Sequence, residues 1–256
     1  MKKDRFEDHE LPYQTLEKYG LTREMIEDLP MHVLEDIGSG RRSPVLPIQI
    51  EDENGNTISS RTRFSFVRMD DGKVDVVFYP VLQSAPLDKY DEAQQKQLQS
   101  GKAILADITL PDGTQSKGFV QIDTETKQVM FAPTQVIGRN LQVIAGDLKL
   151  SSAEVKVLQG GEPLTFVMDD EPVTIGIDLN SNTGIRLCQG DSQKWAEQAK
   201  REWDKYTFGC YGCWVMGDDG NLSYVNEDDY TEELWNELSR KREQTQARLG
   251  YAEHRR

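Results

Sequence analysis

The chain has 256 residues, of which 37% are hydrophobic and 29% are charged, and its formal net charge is −14 at pH 7. This composition is typical of a globular protein with one or two domains, and it excludes a disordered acidic tail. The negative charge repels phosphate backbones and anionic lipid head groups, so nucleic acid could bind only through a local basic patch.

The N-terminal residues and the cysteines bear on the compartment. The sequence MKKDRFEDHELPYQ has two lysines but no apolar segment behind them, which is not the pattern of a secretory signal. No apolar run approaches the roughly 18 residues that a membrane span needs. Three cysteines, Cys188, Cys210 and Cys213, are too few and too scattered for a disulfide framework. We expect a reduced, cytoplasmic protein that does not enter a membrane.

Short helices followed by strands are predicted at the N-terminus. PYQTLEKYG ends at Gly20, which suits a helix C-terminus, and Thr22 is placed to cap the helix LTREMIEDL. Three runs rich in β-branched and aromatic residues follow, VLPIQI, TRFSFVR and KVDVVFYPV, with turn signals at Asn54-Gly55 and at Asp70 to Gly72. We predict a helical cap on a three-stranded antiparallel meander.

The middle of the chain contains two similar segments. In each, a short helix ends at a glycine, Gly101 or Gly161, and a hairpin then reaches an aspartate, Asp123 or Asp178. We predict tandem repeats of helix plus β-hairpin, while the alternative is that caps and turns look alike by chance. A unit of this size cannot bury a core alone, so the repeats must pack on a neighbour and are interpreted as scaffold.

The last part of the chain predicts a helix, a hairpin and a long closing helix. SQKWAEQAKREWDKY would place Trp195 and Trp203 on one helix face, FGCYGCWVM and NLSYV form the hairpin, and TEELWNELSRKREQTQARL is the closing helix. The fold class is therefore α+β. The predicted segments, in chain order, are 1–83, 84–147, 148–190 and 191–256.

The order of these segments resembles a known pair of families. LPYQTLEKYGLTREMIEDLP, then GRRSPVL, a β meander and two LxxGxx units that end in IDxxT or IDxxS are similar to paired domains of unknown function carried by conjugative transposons and other mobile elements of Bacteroidetes. Some of those domains occur near or fused to topoisomerase-like proteins. The resemblance covers about the first 190 residues. It implies a cytoplasmic accessory protein of a mobile element and brings no catalytic residues.

Chemical motifs are sparse. The pair Cys210 and Cys213 in FGCYGCW could indicate a thiol or zinc protein, but the flanking aromatics favour a strand in which small side chains pack near Trp214. No GxSxG elbow, phosphate-binding loop or EF-hand spacing occurs in the sequence. We predict a non-enzymatic protein without a cofactor or a metal.

Two binding functions remain. Nucleic acid could meet Arg41 and Arg42, with Arg61, Arg63 and Arg68 on the adjoining sheet, or the basic part of the closing helix. The basic candidates in that helix are Arg240, Lys241 and Arg242. However, acids on the second predicted helix oppose its entry into a groove.

The favoured interpretation is an adaptor that binds another protein, because the acidic surface and exposed tryptophans suit docking to a basic partner. The candidate contacts are Trp195, Trp203 and Trp235. A structural alternative is that Trp195 and Trp203 only attach the C-terminal segment to the repeats.

Overall fold

The computed structural model describes residues 6–181, 183–197 and 203–253, with side chains described up to residue 245. In these parts the chain forms eight α-helices and twelve strands, arranged as four three-stranded antiparallel sheets. The predicted α+β class is thus confirmed. The helices are α1 Tyr13–Glu17, α2 Arg23–Glu27, α3 Met31–Gly38, α4 Glu92–Gln99, α5 Thr134–Leu148, α6 Ser152–Gln159, α7 Ser192–Glu197 and α8 Glu232–Glu253.

Each sheet is a meander whose strands are neighbours in the sequence. Two short 3-10 helices, Asp8–Glu10 and Glu227–Asp229, precede α1 and α8. The strands are β1 Leu46–Glu51, β2 Thr57–Arg68, β3 Val74–Pro80, β4 Ile104–Thr109, β5 Gln115–Ile122, β6 Val129–Pro133, β7 Leu164–Met168, β8 Glu171–Ile177, β9 Ile185–Gln189, β10 Tyr206–Phe208, β11 Gly212–Met216 and β12 Leu222–Asn226.

The chain divides into two compact units. Unit 1 combines Met1–Phe78 with Glu202–Arg256, and unit 2 is Tyr79–Arg201. The first and last predicted segments therefore contribute to the same unit, although they are far apart in sequence. The division into four segments stays a prediction.

Unit 1 has an apolar core shared by its N-terminal and C-terminal parts. The predicted helical cap and meander are confirmed, and the side chain of Thr22 accepts the N–H of Met25 at the start of α2. Phe64 and Phe66 of β2 are fully buried, and Trp214 of β11 lies in the same cluster. The C-terminal sheet therefore completes the core on which the N-terminal helices pack.

The C-terminal part contains one more strand than predicted. Short β10 pairs with β11, so the expected hairpin is a three-stranded sheet. Leu234 and Leu238 of α8 are buried, and Leu234 packs on a cluster formed by Tyr206 and Cys213. The closing helix is thus anchored by its first turns.

In unit 2, the two predicted repeats have the same order of elements. In each, a capping box starts the helix: Asp91 caps α4 and pairs with Gln94 in its first turn, and Ser151 caps α6 and pairs with Glu154 in the same way. The first helix begins a few residues after the predicted Asp88, because Leu87 to Tyr90 form a turn. That the two units arose by duplication stays a prediction.

The glycines and aspartates of the repeats have matching backbone roles. Gly101 and Gly161 adopt positive φ angles of 80° and 90° just after their helices, a conformation that favours glycine. Asp123 and Asp178 are buried, and each accepts the N–H of the residue two positions later. All four residues therefore shape turns.

A long helix between the repeats was missed by the sequence analysis. Helix α5 spans 15 residues and buries Ile137, Leu141 and Ala145, which are spaced four apart and so share one face. Ile137 and Leu141 form the core between the repeats together with Phe119 and Leu158. The repeats thus share a core with the helix that connects them.

Helix α7 covers the second repeat. The indole of Trp195 stacks on the guanidinium of Arg186 at 4.1 Å and donates to its carbonyl at 3.2 Å. Arg186 donates back to the carbonyl of Trp195 at 2.8 Å and to Asp178 at 2.6 Å. Gly176 provides the space, because a Cβ there would lie 2.6 Å from Cζ2 of the indole.

We predict that Gly176→Ala displaces Trp195 and lowers the free energy of unfolding of unit 2 by about 1–3 kcal/mol, the usual cost of overpacking. Thermal unfolding followed by tryptophan fluorescence measures both effects. The control is Gly138→Ala in α5, where an added Cβ meets nothing within 4 Å and the better helix propensity should add about 0.5–1 kcal/mol. An unchanged melting curve for Gly176→Ala would contradict the described packing of Trp195.

Candidate functional site

The buried carboxylate of Asp28 joins the N-terminal and C-terminal parts of unit 1. Asp28 follows α2 and is 4% exposed. Its Oδ1 accepts the N–H of Cys210 at 2.6 Å, and its Oδ2 accepts the N–H of Tyr211 at 3.1 Å and the hydroxyl of Tyr224 at 2.6 Å. A Cβ at Gly209 would lie 2.1 Å from Cγ of Asp28, so glycine is needed for this approach. The carboxylate thus holds the turn between β10 and β11.

A second contact fixes the same turn. The indole N–H of Trp214 donates to the carbonyl of Met25 at 2.9 Å, and its ring meets that of Tyr224 with centroids 5.1 Å apart. Trp214 is fully buried. Met25 and Asp28 lie three residues apart, so the C-terminal sheet is anchored to α2 and the residue that follows it.

This anchoring presents aromatic side chains outside the core. Tyr211 is 48% exposed and Trp235 is 43% exposed, while the half-buried ring of Tyr230 meets that of Trp235 with centroids 5.2 Å apart. The carbonyl of Tyr211 accepts the N–H of Glu227, which places Tyr211 beside the acidic 3-10 helix. We name this region the C-terminal aromatic surface. It consists of Tyr211, Glu227, Asp228, Asp229, Tyr230 and Trp235.

The charge around this surface is strongly negative. The stretch EDDYTEELWNE, residues 227–237, contains acidic residues at six of its positions and no Lys or Arg. Glu233 accepts the hydroxyl of Tyr206 at 2.6 Å, and Glu237 pairs with Arg240 at 2.6 Å. Within the described part of the chain, the acids at 227, 228, 229 and 232 form no ion pair.

The arginines proposed for nucleic acid make internal contacts. Arg41 pairs with Asp36, and Arg68 donates to Glu10 at 2.9 Å. This pairing lowers the pKa of Glu10 to about 2. The other two sheet arginines bind carbonyls, Arg61 that of Leu222 at 2.9 Å and Arg63 that of Ser43 at 2.8 Å. Arg42 lies next to Arg41 and is half-buried.

The basic candidates on α8 differ in their contacts. Arg240 is exposed and forms an ion pair with Glu237. Lys241 donates to the carbonyl of Tyr206 and lies 5.8 Å from the ring centroid of Phe208, so it helps to fix α8 on the sheet. Arg242 is exposed. The structure therefore does not bring the three side chains together as a basic patch.

The two cysteines of the CxxC sequence lie in different environments. Cys213 is fully buried in β11, and burial raises the pKa of its thiol to about 11, so it stays protonated near neutral pH. The expectation that Cys210 is also a small buried strand residue is wrong. Cys210 lies in the β10–β11 turn, where its backbone N–H donates to Asp28 and its side chain is exposed. A lowered thiol pKa, the mark of a reactive cysteine, is thus not found at Cys213.

The remaining tryptophan candidates are engaged inside their own units. Helix α7 ends at Glu197, residues 198–202 lie outside the described residues, and Trp203 follows in irregular structure. The part of the predicted helix that would join the two tryptophans thus lies outside the described residues. Trp195 packs on the second repeat, while Trp203 is half-buried against the core of unit 1. Trp195 therefore attaches α7 to the repeats, whereas Trp203 packs on the core of unit 1 and not on the repeats.

Unit 2 has a small apolar cavity of 150 Å³ between α5 and β5. Its lining has no titratable side chain and consists of Phe119, Thr134, Ile137, Gly138, Leu141 and Gln159. Within the described ranges, no group of three or more His, Cys, Asp or Glu side chains converges as metal ligands would. None of the helices in these ranges is long and apolar enough to cross a membrane.

Comparison with known protein families gives a match for the N-terminal part of the chain. Residues 6–90 match a family model described as "Protein of unknown function (DUF4099)". The match includes the N-terminal helices and the sheet formed by β1, β2 and β3, and it ends before α4. No curated protein and no solved structure matches the chain. The match agrees with the resemblance of the N-terminal part to a domain of unknown function.

Sequence reasoning missed the role of Asp28. The sequence LTREMIEDLP indicates only a short acidic helix, in which Asp28 opposes DNA binding. The donors to its carboxylate lie 182 to 196 residues further along the chain. A weak signal was available in FGCYGCW, where two glycines bracket a turn that leaves two consecutive N–H groups without sheet partners.

We predict that Asp28→Ala lowers the free energy of unfolding of unit 1 by about 3 kcal/mol or more, because three donors lose a charged acceptor. Chemical denaturation followed by tryptophan fluorescence measures the loss. Gly209→Ala should also destabilise, since its Cβ would clash with the same carboxylate. The control is Glu35→Ala on the exposed face of α3, which should change stability by at most about 0.5 kcal/mol. Equal stability of Asp28→Ala and Glu35→Ala would refute the anchoring role.

Stability should also fall at alkaline pH. Burial, followed by the hydrogen bond to Asp28, raises the pKa of Tyr224, and burial raises that of Tyr230 to about 12. Tyrosines in the unfolded chain ionise at about pH 10. The unfolded chain therefore loses these protons first, so the stabilisation is complete below about pH 10 and is lost as the pH rises towards the folded pKa.

Tyr224→Phe tests this dependence. At about pH 8 the variant should be less stable than the wild type by about 1 kcal/mol, the contribution of one hydrogen bond. The difference should shrink by about pH 11, because phenylalanine has no proton to release. Urea denaturation across this pH range measures it, and a difference that stays constant or grows would contradict the raised pKa of Tyr224.

Proposed function

We propose that the protein is a non-enzymatic accessory protein that binds another protein through the C-terminal aromatic surface. The observation that carries the proposal is the half-exposure of Tyr211 and Trp235 beside an acidic turn. Tyrosine and tryptophan dominate the binding energy of many protein interfaces, since each buries a large area with few rotatable bonds. Trp235 therefore remains the one partner candidate of the three tryptophans that is available for binding.

The way in which these residues are held supports a binding role. The backbone of Tyr211 is fixed by Asp28 and Glu227, and Trp235 lies on a helix against the ring of Tyr230. Side chains that are already ordered lose less entropy on association. Trp235 is therefore available at a low ordering cost, and the backbone that carries Tyr211 is already fixed.

The biological setting is proposed from the resemblance of the first 190 residues. The proposed setting is the cytoplasm, where the protein would be an accessory of a mobile genetic element with a DNA-processing or defence-related protein as partner. The net charge of −14 supports a partner with a basic surface. The match of residues 6–90 to a domain of unknown function is compatible with this setting and adds no activity.

Direct binding of nucleic acid is the alternative. The observation in its favour is the exposure of Arg240 and Arg242 on α8. Two observations oppose it: Lys241 is used to fix the helix, and Arg41 is paired with Asp36. We therefore rank it below protein binding.

Affinity purification of the tagged protein from its host cells, with and without nuclease, tests the proposal. We expect a protein partner at near-stoichiometric yield that resists nuclease and is lost from the double variant Tyr211→Ala, Trp235→Ala. Phe131→Ala is the matched control, because Phe131 is an aromatic residue of unit 2 that is 47% exposed. Its partner recovery should equal that of the wild type.

Two results would overturn the proposal. Recovery that disappears with nuclease would favour the nucleic-acid alternative. A partner retained by the double variant but lost with Phe131→Ala would move the binding site to unit 2.

A further inference from the structure

Resting on the proposed function, we infer that the C-terminal aromatic surface binds a lysine- and arginine-rich segment of the partner protein. Two features of the surface carry the inference: its unpaired carboxylates and its exposed aromatic rings. Each favours a cationic chain over the other ligand classes.

The carboxylates are available for a partner. Glu227, Asp228 and Asp229 are exposed, and no ion pair is found for them within the described residues. Glu232 at the start of α8 is also exposed, and no ion pair is found for it within the described residues. By contrast, Glu233 and Glu237 of the same stretch already bind Tyr206 and Arg240. The unpaired negative charge is thus concentrated at one end of the surface.

The aromatic rings can receive cations. A guanidinium or ammonium group is attracted to the face of an indole or phenol ring, and nearby carboxylates add to that attraction. The same cation–π contact occurs within this chain, since Arg186 lies 4.1 Å from the ring centroid of Trp195 and Arg23 lies 4.8 Å from that of Tyr13. Trp235 and Tyr211 offer the same two ring types with about half of each side chain exposed.

Other ligands fit the surface less well. A phosphate backbone would meet carboxylates that no described base neutralises, which costs affinity. A divalent cation needs oxygen ligands that converge, and within the described residues no such group occurs. The exposed Arg242 lies two turns along α8 from Trp235, so the acidic part of the surface is bounded by a base. A short basic segment therefore matches the extent and sign of the charge.

Binding of fluorescein-labelled oligo-arginine to the full chain, measured by fluorescence anisotropy at low and physiological salt, tests the inference. The double variant Asp228→Asn, Asp229→Asn should weaken binding about tenfold at low salt, and the loss should diminish as salt screens the charges. Trp235→Ala should weaken binding about threefold to tenfold at both salt concentrations, because the ring contact depends less on screening.

The control removes the same charge elsewhere. Asp169 and Asp170 are consecutive exposed acids in the turn between β7 and β8, where both adopt positive φ, a conformation that asparagine tolerates. The double variant Asp169→Asn, Asp170→Asn should change the affinity less than twofold, because exposed charges away from the binding site contribute little. Equal losses from the two double variants would mean attraction to the net charge alone, and undetectable binding of the peptide to the wild type would also overturn the inference.

The two proposals fail in distinguishable ways. If the peptide does not bind but a partner is still lost with Trp235→Ala in the purification, the surface binds a protein of different chemistry. If the peptide binds at the surface but the purified partner is unaffected by Trp235→Ala, the basic-segment site stands and the proposed function fails. Melting curves of all variants check that each remains folded.

Discussion

The acceptance of three hydrogen bonds by Asp28 is the constraint on which unit 1 depends. The two stretches that form this unit are separated in the sequence by all of unit 2. The contact between the C-terminal sheet and the N-terminal helices therefore closes a long loop of the chain. Closing such a loop costs entropy, and a short charged hydrogen bond recovers more free energy than a neutral one. The distances of 2.6 Å to the Cys210 N–H and to the Tyr224 hydroxyl are those of charge-assisted bonds. Tertiary contacts, rather than local propensity, therefore hold the turn in place.

Local signals predicted much of the fold, because helix ends and turns are determined by neighbouring residues. The caps at Thr22 and Ser151 and the positive-φ glycines at Gly101 and Gly161 were all recognisable as sequence patterns. The α5 helix could also have been predicted from the spacing of its apolar residues. The strand β10 is too short, at three residues, to leave a periodic signal.

The roles of charged and aromatic residues were predictable only in part. Arg63 and Asp28 are of types that are usually exposed, yet both are buried because their partners come from distant segments. The indole of Trp195 occupies the space left by Gly176, and this packing is visible only in three dimensions. Trp235 could be recognised as a candidate contact, whereas Tyr211 could not, because its exposure results from the turn that Asp28 holds.

The repeats show why the binding surface is proposed outside unit 2. In the first repeat, Phe119 enters the core shared with the second, and Gln121 accepts the N–H of Leu179 at 2.6 Å. The positions fifty-five residues later are Thr174 and Gly176. Thr174 bonds to the carbonyl of Gly190 at 2.7 Å, and the space at Gly176 is filled by Trp195. In the first repeat this face packs on the second repeat. In the second repeat the matching face is covered by Trp195 and by a hydrogen bond to Gly190, as in the capping repeat at the end of a repeat array. Because capping satisfies that face, the half-exposed aromatic rings beside unpaired acids in unit 1 are the stronger candidate for binding a partner.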